Sequence, residues 1–140
     1  MDGKMNILVI DAQGGGIGKQ VVSAVKKKYP QMNVTAVGTN SIATSAMLKA
    51  GADQAATGEN AVVVCSRRAD VIIGPVGIVI ADSLLGEVTA AMATAVGQSS
   101  AKRILIPVNH CDNFVVGVPE LSLSRLVEAV VDKLGENCRS

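Results

Sequence analysis

Nine consecutive residues, Asp11-Ala12-Gln13-Gly14-Gly15-Gly16-Ile17-Gly18-Lys19, carry the clearest chemistry in this chain. Glycine has no Cβ to hold a ligand away. A helix that starts in such a stretch offers its first N–H groups as unpaired donors at the positive end of its dipole. The chemistry implied is the holding of negative charge: the phosphate of a nucleotide, a dinucleotide or another phosphorylated small molecule. The expected contacts are Gly14, Gly15, Gly16, Ile17 and Gly18 through the backbone, with Gln13 as a bridge to the ligand. Asp11 would repel a phosphate unless a cation lies between them or the carboxylate holds the N–H groups of the turn. The turn-holding role is the preferred one, and no metal site is expected.

Other polar clusters fall at places where strands end. Gly38-Thr39-Asn40 stands where a dinucleotide fold offers Asp or Glu to the ribose hydroxyls, or Arg to a ribose phosphate. The acid is missing, so specificity for NAD over NADP is not encoded there. Thr39 and Asn40 retain hydrogen-bonding capacity for a ribose or a phosphate, while Asn40 equally suits a helix cap. Thr57-Gly58-Glu59-Asn60 offers one acid and one amide, or else Thr57 caps a helix whose first turn holds Glu59. Gly74 and Pro75 are expected to line the pocket opposite the first glycine turn. Asn109-His110-Cys111 brings the only histidine beside a thiol. Adjacent residues in an extended segment point apart, so a nucleophilic pair is not expected. One His with scattered cysteines has no metal-ligand spacing, and no structural zinc is expected.

These residues need elements to position them. Met5 to Asp11 is an apolar run ending in a polar residue and glycines, the pattern of a central parallel strand. Ile17, Val21, Val22 and Val25 then fall at helical spacing, with Lys26, Lys27 and Lys28 in the last turn before Pro30. A second strand (33–38) and helix (41–50) follow, then a short strand (53–57), a helix (59–67), where Val62-Val63-Val64 would suit a strand as well as a buried helix, and a strand (70–74). Residues 78–97 read as one long Ala-rich helix closed by Gly97, and 102–108 as the last strong strand. Residues 115–118 suggest a short edge strand, and 123–134 a closing helix with the tail frayed from Gly135. Strands alternating with helices predict an α/β fold: a three-layer, Rossmann-like parallel sheet with helices on both faces, flavodoxin-like or NAD(P)-binding-like, as a single domain over 1–140. Such folds bind ligands beyond the carboxyl ends of the strands, where the strand order reverses.

Composition narrows the class of function. Of 140 residues 49% are hydrophobic, enough for one domain with a true core. Thirteen Lys and Arg against twelve Asp and Glu leave no basic field for a nucleic acid, and one Tyr and one Phe make no stacking platform. Three cysteines in no disulfide pattern point to a reducing compartment, the cytoplasm. The apolar stretch 71–96 is interrupted by Gly74, Pro75, Gly77, Asp82, Gly86 and Glu87 and makes a poor membrane span. A helix over 78–97 would be apolar around most of its girth, so it is expected to pack on the sheet with one face and on a second copy with the other.

The turn resembles known families. Gly16-Ile17-Gly18 after a glycine-rich stretch is similar to the cofactor turn of short-chain dehydrogenases, with Ala12 where that family has its first glycine. Their Tyr-x-x-x-Lys is absent, because Tyr29 is followed four residues later by Asn33. That resemblance implies cofactor binding, of NAD(P) or another nucleotide, without that family's chemistry. Gly14 to Lys19 also resembles the deviant phosphate loop of bacterial partitioning ATPases, with Gln20 in place of the magnesium-binding Ser or Thr. A third likeness extends over nearly the whole chain. The turn, with Gly38-Thr39-Asn40, Thr57-Gly58-Glu59-Asn60, Gly74-Pro75-Val76-Gly77-Ile78 and Ile106-Pro107-Val108-Asn109, looks like an uncharacterised family of short bacterial proteins. It implies a single-domain Rossmann-like protein and no particular activity. Three functions fit these residues: nucleotide or dinucleotide binding, an enzyme on a small phosphorylated metabolite with Asp11, Glu59 or His110 as acid or base, and a non-catalytic scaffold or regulator.

Overall fold

The computed structural model describes residues 4–108 and 113–138. Its elements are β1 (Asn6–Asp11), α1 (Gly16–Lys28), β2 (Asn33–Gly38), α2 (Ser41–Lys49), β3 (Gln54–Thr57), α3 (Glu59–Arg68), β4 (Val71–Pro75), a 3-10 turn (Val76–Val79), α4 (Ala90–Gln98), β5 (Lys102–Ile106) and α5 (Leu123–Cys138). The five strands form one parallel sheet in the order β3-β2-β1-β4-β5. That is the 3-2-1-4-5 order of dinucleotide folds rather than the 2-1-3-4-5 of flavodoxin, and the order reverses between β1 and β4.

Alternation along the central strand builds both cores. Ile7 and Val9 of β1 face one side with Val21, Val22 and Val25 of α1, Met47 of α2 and Leu126, Val130 and Leu134 of α5. Leu8 and Ile10 face the other with Val62 of α3, Ile78 and Met92 and Val96 of α4. Period two in a strand dictates this division, and it makes three layers with β1 covered on both faces. Lys26, near the end of α1, donates to the carbonyls of Pro30 and Met32 and to Asp53 at 2.9 Å, tying α1 to the entry of β3.

Three sequence expectations fail. Residues 78–97 are not one helix: a 3-10 turn and a run of turns over 80–88 precede the short α4, which Thr89 caps by accepting from the Met92 amide. Leu84, Val88, Met92 and Val96 are all buried and lie four apart, which imitates a helix, but Leu85 beside them is 95% exposed. Residues 115–118 form no strand, and Gly117 sits in a turn with φ +81°. The last helix does not fray at Gly135 but runs to Cys138, because Gly135 lies under the Tyr29 hydroxyl, where a Cβ would come within 2.5 Å. Among the described residues no helix is long and apolar enough to cross a membrane.

Candidate functional site

β1 ends at Asp11 in register with Gly38 of β2, which sets the Asp11 side chain at the carboxyl edge, 3% exposed. One carboxylate oxygen accepts from the Ala12 amide at 2.8 Å and the other from the Gly18 amide at 2.6 Å, and the Ile17 amide also faces this carboxylate. Ile17 and Gly18 are the second and third residues of α1. Their amides, expected from the sequence to be free for a ligand, are already held by the protein. Burial pushes the Asp11 carboxyl up from its ordinary value; the amides of Gly18, Ala12 and Ile17 oppose this, and the charge of Glu87 adds to it.

The four glycines of the turn divide the work. Gly15 adopts φ +76°, and a Cβ there would stand 2.8 Å from the Ala43 backbone. A Cβ on Gly18 would stand 2.5 Å from the Met47 sulfur and 2.9 Å from the Asp11 Cβ, so this glycine lets α1 pack against the end of β1. Gly14 and Gly16 differ: a Cβ on either meets nothing within 4 Å, and neither has a left-handed φ. The Gly15 amide bonds to the Ala12 carbonyl, whereas the amides of Gly14 and Gly16 have no partner among the described residues. The fold itself does not require glycine at 14 or 16; what glycine leaves there is bare backbone.

That backbone lines an open cleft of about 370 Å³, walled by Asp11, Gln13, Lys19, Gln20, Pro75 at the end of β4, Leu84 and Leu123 at the start of α5. The cleft sits at the reversal between β1 and β4, where the sheet topology predicts a ligand. Gly15, Gly16 and Ile17 also line it. Gly18, Gly38, Thr39, Asn40 and Gly74 do not. A Cβ on Gly38 would stand 2.5 Å from the Thr44 amide, and one on Gly74 2.6 Å from the Ile10 carbonyl, so both are packing glycines. A smaller cavity of about 130 Å³, lined by Asn6, Asn33, Cys65 and Arg68 among others, lies at the opposite, amino edge of the sheet.

On the β2 side of the turn stands a group that the sequence reading missed. One carboxylate oxygen of Glu87 accepts from the Gln13 amide at 2.8 Å, the Thr39 hydroxyl at 2.6 Å and the Asn40 amide group at 2.8 Å. Burial works against its ionisation, but the bonds from Thr39, Gln13 and Asn40 prevail and hold its pKa below the ordinary value. Asn40 serves twice, since its Oδ1 caps α2 by accepting from the Ala43 amide at 2.9 Å while its NH2 also reaches the Gln13 carbonyl. Glu87 was hidden inside the apparent long helix. The signal that could have exposed it is the turn-forming Asp82, Ser83 and Gly86 just before an isolated acid.

The remaining candidates lie away from the cleft. Thr57 caps nothing; its hydroxyl pairs with that of Thr44 at 2.7 Å, and Gly58 is the α3 cap. Glu59 accepts from the Thr89 hydroxyl. Asn109, His110 and Cys111 lie outside the described residues. Among the described residues no group of three His, Cys, Asp or Glu side chains is placed to hold a metal ion.

Comparison with known proteins places the chain by family and by fold. A family model described as a domain of unknown function, DUF3842, matches residues 6–139. No curated protein matches. Among solved structures, the chain is similar to a dodecameric FMN-dependent UbiX-like decarboxylase from Escherichia coli O157:H7. The identity is 18%, the TM-score 0.52, and the match covers 92% of this chain and 94% of the other. At that identity the likeness concerns the fold.

Proposed function

The chain belongs to the DUF3842 family, whose description assigns no function, and from its own geometry we propose that it binds a nucleotide or dinucleotide at the cleft between β1 and β4. The observation that carries this is the bare backbone of Gly14 and Gly16, unpartnered and free of any packing demand, on the wall of a cleft of about 370 Å³. In dinucleotide turns one glycine lets the pyrophosphate approach and a later one packs helix against strand, the division seen here between Gly16 and Gly18. Lys19 on the same wall supplies a cation. The similar decarboxylase is FMN-dependent, which supports a nucleotide-type ligand. Asp11 acts in this reading as the brace of the turn rather than as a ligand.

The test is thermal unfolding with AMP, FMN, ATP, NAD, NADP and FAD, on the wild type and Gly16→Val. A ligand at a hundred times its Kd adds about 2.7 kcal/mol of stability. Gly16→Val should fold and lose the effect; stabilisation by none of the six would overturn the reading.

Self-association in the cytoplasm is part of the same proposal. The interface is not a helix over 78–97, which does not exist; the most exposed apolar side chains among the described residues are Ile42, Leu85, Phe114 and Val116, at 70%, 95%, 89% and 94% exposure. The similar decarboxylase is a dodecamer, which supports association of copies, and Cys65 is a free thiol, as a reducing compartment would keep it. Sedimentation at micromolar concentration should show more than a monomer.

A further inference from the structure

We infer that Glu87 is a specificity-determining residue of this cleft: it closes the β2 side of the glycine turn and so restricts the site to a single nucleotide on the β4 side. This rests on the nucleotide reading above and narrows it.

A sheet of this order has two mononucleotide halves, one on each side of the reversal. A dinucleotide with its pyrophosphate at the turn after β1 must send one nucleoside over β2 and the other over β4. The donors that would receive a sugar on the β2 side are the Gln13 amide, the Thr39 hydroxyl and the Asn40 amide group. All three are bonded to one oxygen of Glu87 at 2.6–2.8 Å. The corner is stitched further by the Thr39 amide on the Asp11 carbonyl and by Asn40 on the Gln13 carbonyl, each at 3.0 Å.

Three hydrogen bonds hold the Glu87 carboxylate, and the backbone that carries it is anchored as well. Its neighbour Val88 is buried at 1% exposure and Leu84 at 4%, and the Asp82 amide bonds to the Val88 carbonyl at 2.7 Å. To deliver the carboxylate, the chain accepts left-handed backbone at Asp82, Leu84 and Leu85, with φ of 65°, 56° and 58°. Such conformations persist only where the surrounding structure determines them. On the other side, between Gly14, Gly16, Pro75, Leu84 and Leu123, the cleft stays open. Its volume falls at the lower end of the roughly 300–1,000 Å³ of small-molecule sites. The occupant that fits is a nucleoside monophosphate, with its phosphate at Gly14 and Gly16 and its sugar and ring toward Pro75 and Leu123.

The experiment is titration calorimetry of the full chain with AMP, FMN and NAD, on the wild type, Glu87→Gln, Glu87→Ala and Gly16→Val. AMP and FMN differ in ring and sugar but share the single phosphate, and the two arms identify which ring the open side takes. The wild type should bind at least one of them and bind NAD about tenfold more weakly or worse. Glu87→Gln keeps an oxygen for the three donors and should keep the wild-type preference for mononucleotide over NAD, whatever its loss of stability. Glu87→Ala should gain about tenfold or more for NAD with little change for the mononucleotide. Should Glu87→Ala fail to fold, Gly86→Ala loosens the turn that carries Glu87, because φ at Gly86 is +82°, leaves the three donors in place, and should give a smaller gain in the same direction. Equal binding of NAD and mononucleotides by the wild type overturns the inference while leaving the nucleotide reading intact. So does weaker NAD binding by Glu87→Ala, which would make Glu87 a reader of the ribose. No binding to any variant overturns both.

Discussion

A glycine can be present for the protein or for what the protein meets, and a methyl group tells the two apart. Gly16→Ala should leave the fold intact or stabilise it by about 0.4–1 kcal/mol, since its Cβ meets nothing and its φ is ordinary. Gly18→Ala should cost about 1–3 kcal/mol, because its Cβ would overlap the Met47 sulfur and press on Asp11. Urea unfolding measures both; equal effects would erase the distinction. Glu87 makes a prediction in pH. Its folded pKa is depressed, so its contribution is present above the unfolded value of about 4.3 and disappears as pH falls through the folded one. The gap in melting temperature between wild type and Glu87→Gln should therefore be open at pH 7 and narrow steadily as the pH is taken down through the acid range. A gap that widens in acid would refute the bonding described. The sequence showed that Asp11 and the glycines belong together, but it could not show which amides Asp11 would take, because a carboxylate's partners depend on how the turn closes.

Elements whose pattern is purely local were legible. β2 lies at 33–38 as its apolar run and flanks require, and α1 stops short of Pro30 with three lysines in its last turn. Residues 78–97 misled because burial four residues apart satisfies a helix and a string of turns alike. The deciding facts are tertiary: Ser83 bonds back to the Gly77 carbonyl, and Glu87 finds its donors on two other loops. The turn run depends on Gly86, whose φ is +82°. Gly86→Ala should cost about 1 kcal/mol and loosen Glu87. Hydrogen exchange at the Gln13 amide should then quicken while that of Ile10 in β1 does not; unchanged exchange at Gln13 would show that the segment does not depend on this glycine.

At the scale of the molecule, all five strands share one sheet and β1 contributes to both cores, so the fold should unfold as one unit over its whole length. Tyr29 against Gly135 reports on the seam of α1 and α5, and its fluorescence should change at the same denaturant concentration as far-UV dichroism. Separate midpoints would show two units instead. The α/β class and a cleft at the carboxyl edge beside the glycine turn were readable because a parallel sheet fixes where strand ends gather; the bonding of the β2 side was not, since it needs an acid nearly fifty residues further along the chain. The unconstrained positions 14 and 16 also leave a trace across lineages. A descendant that abandoned its ligand would lose nothing in folding by accumulating side chains there, yet would still keep glycine at 15 and 18. Ornamented 14 and 16 beside an untouched 15 and 18 would mark the lines in which the cleft has fallen out of use.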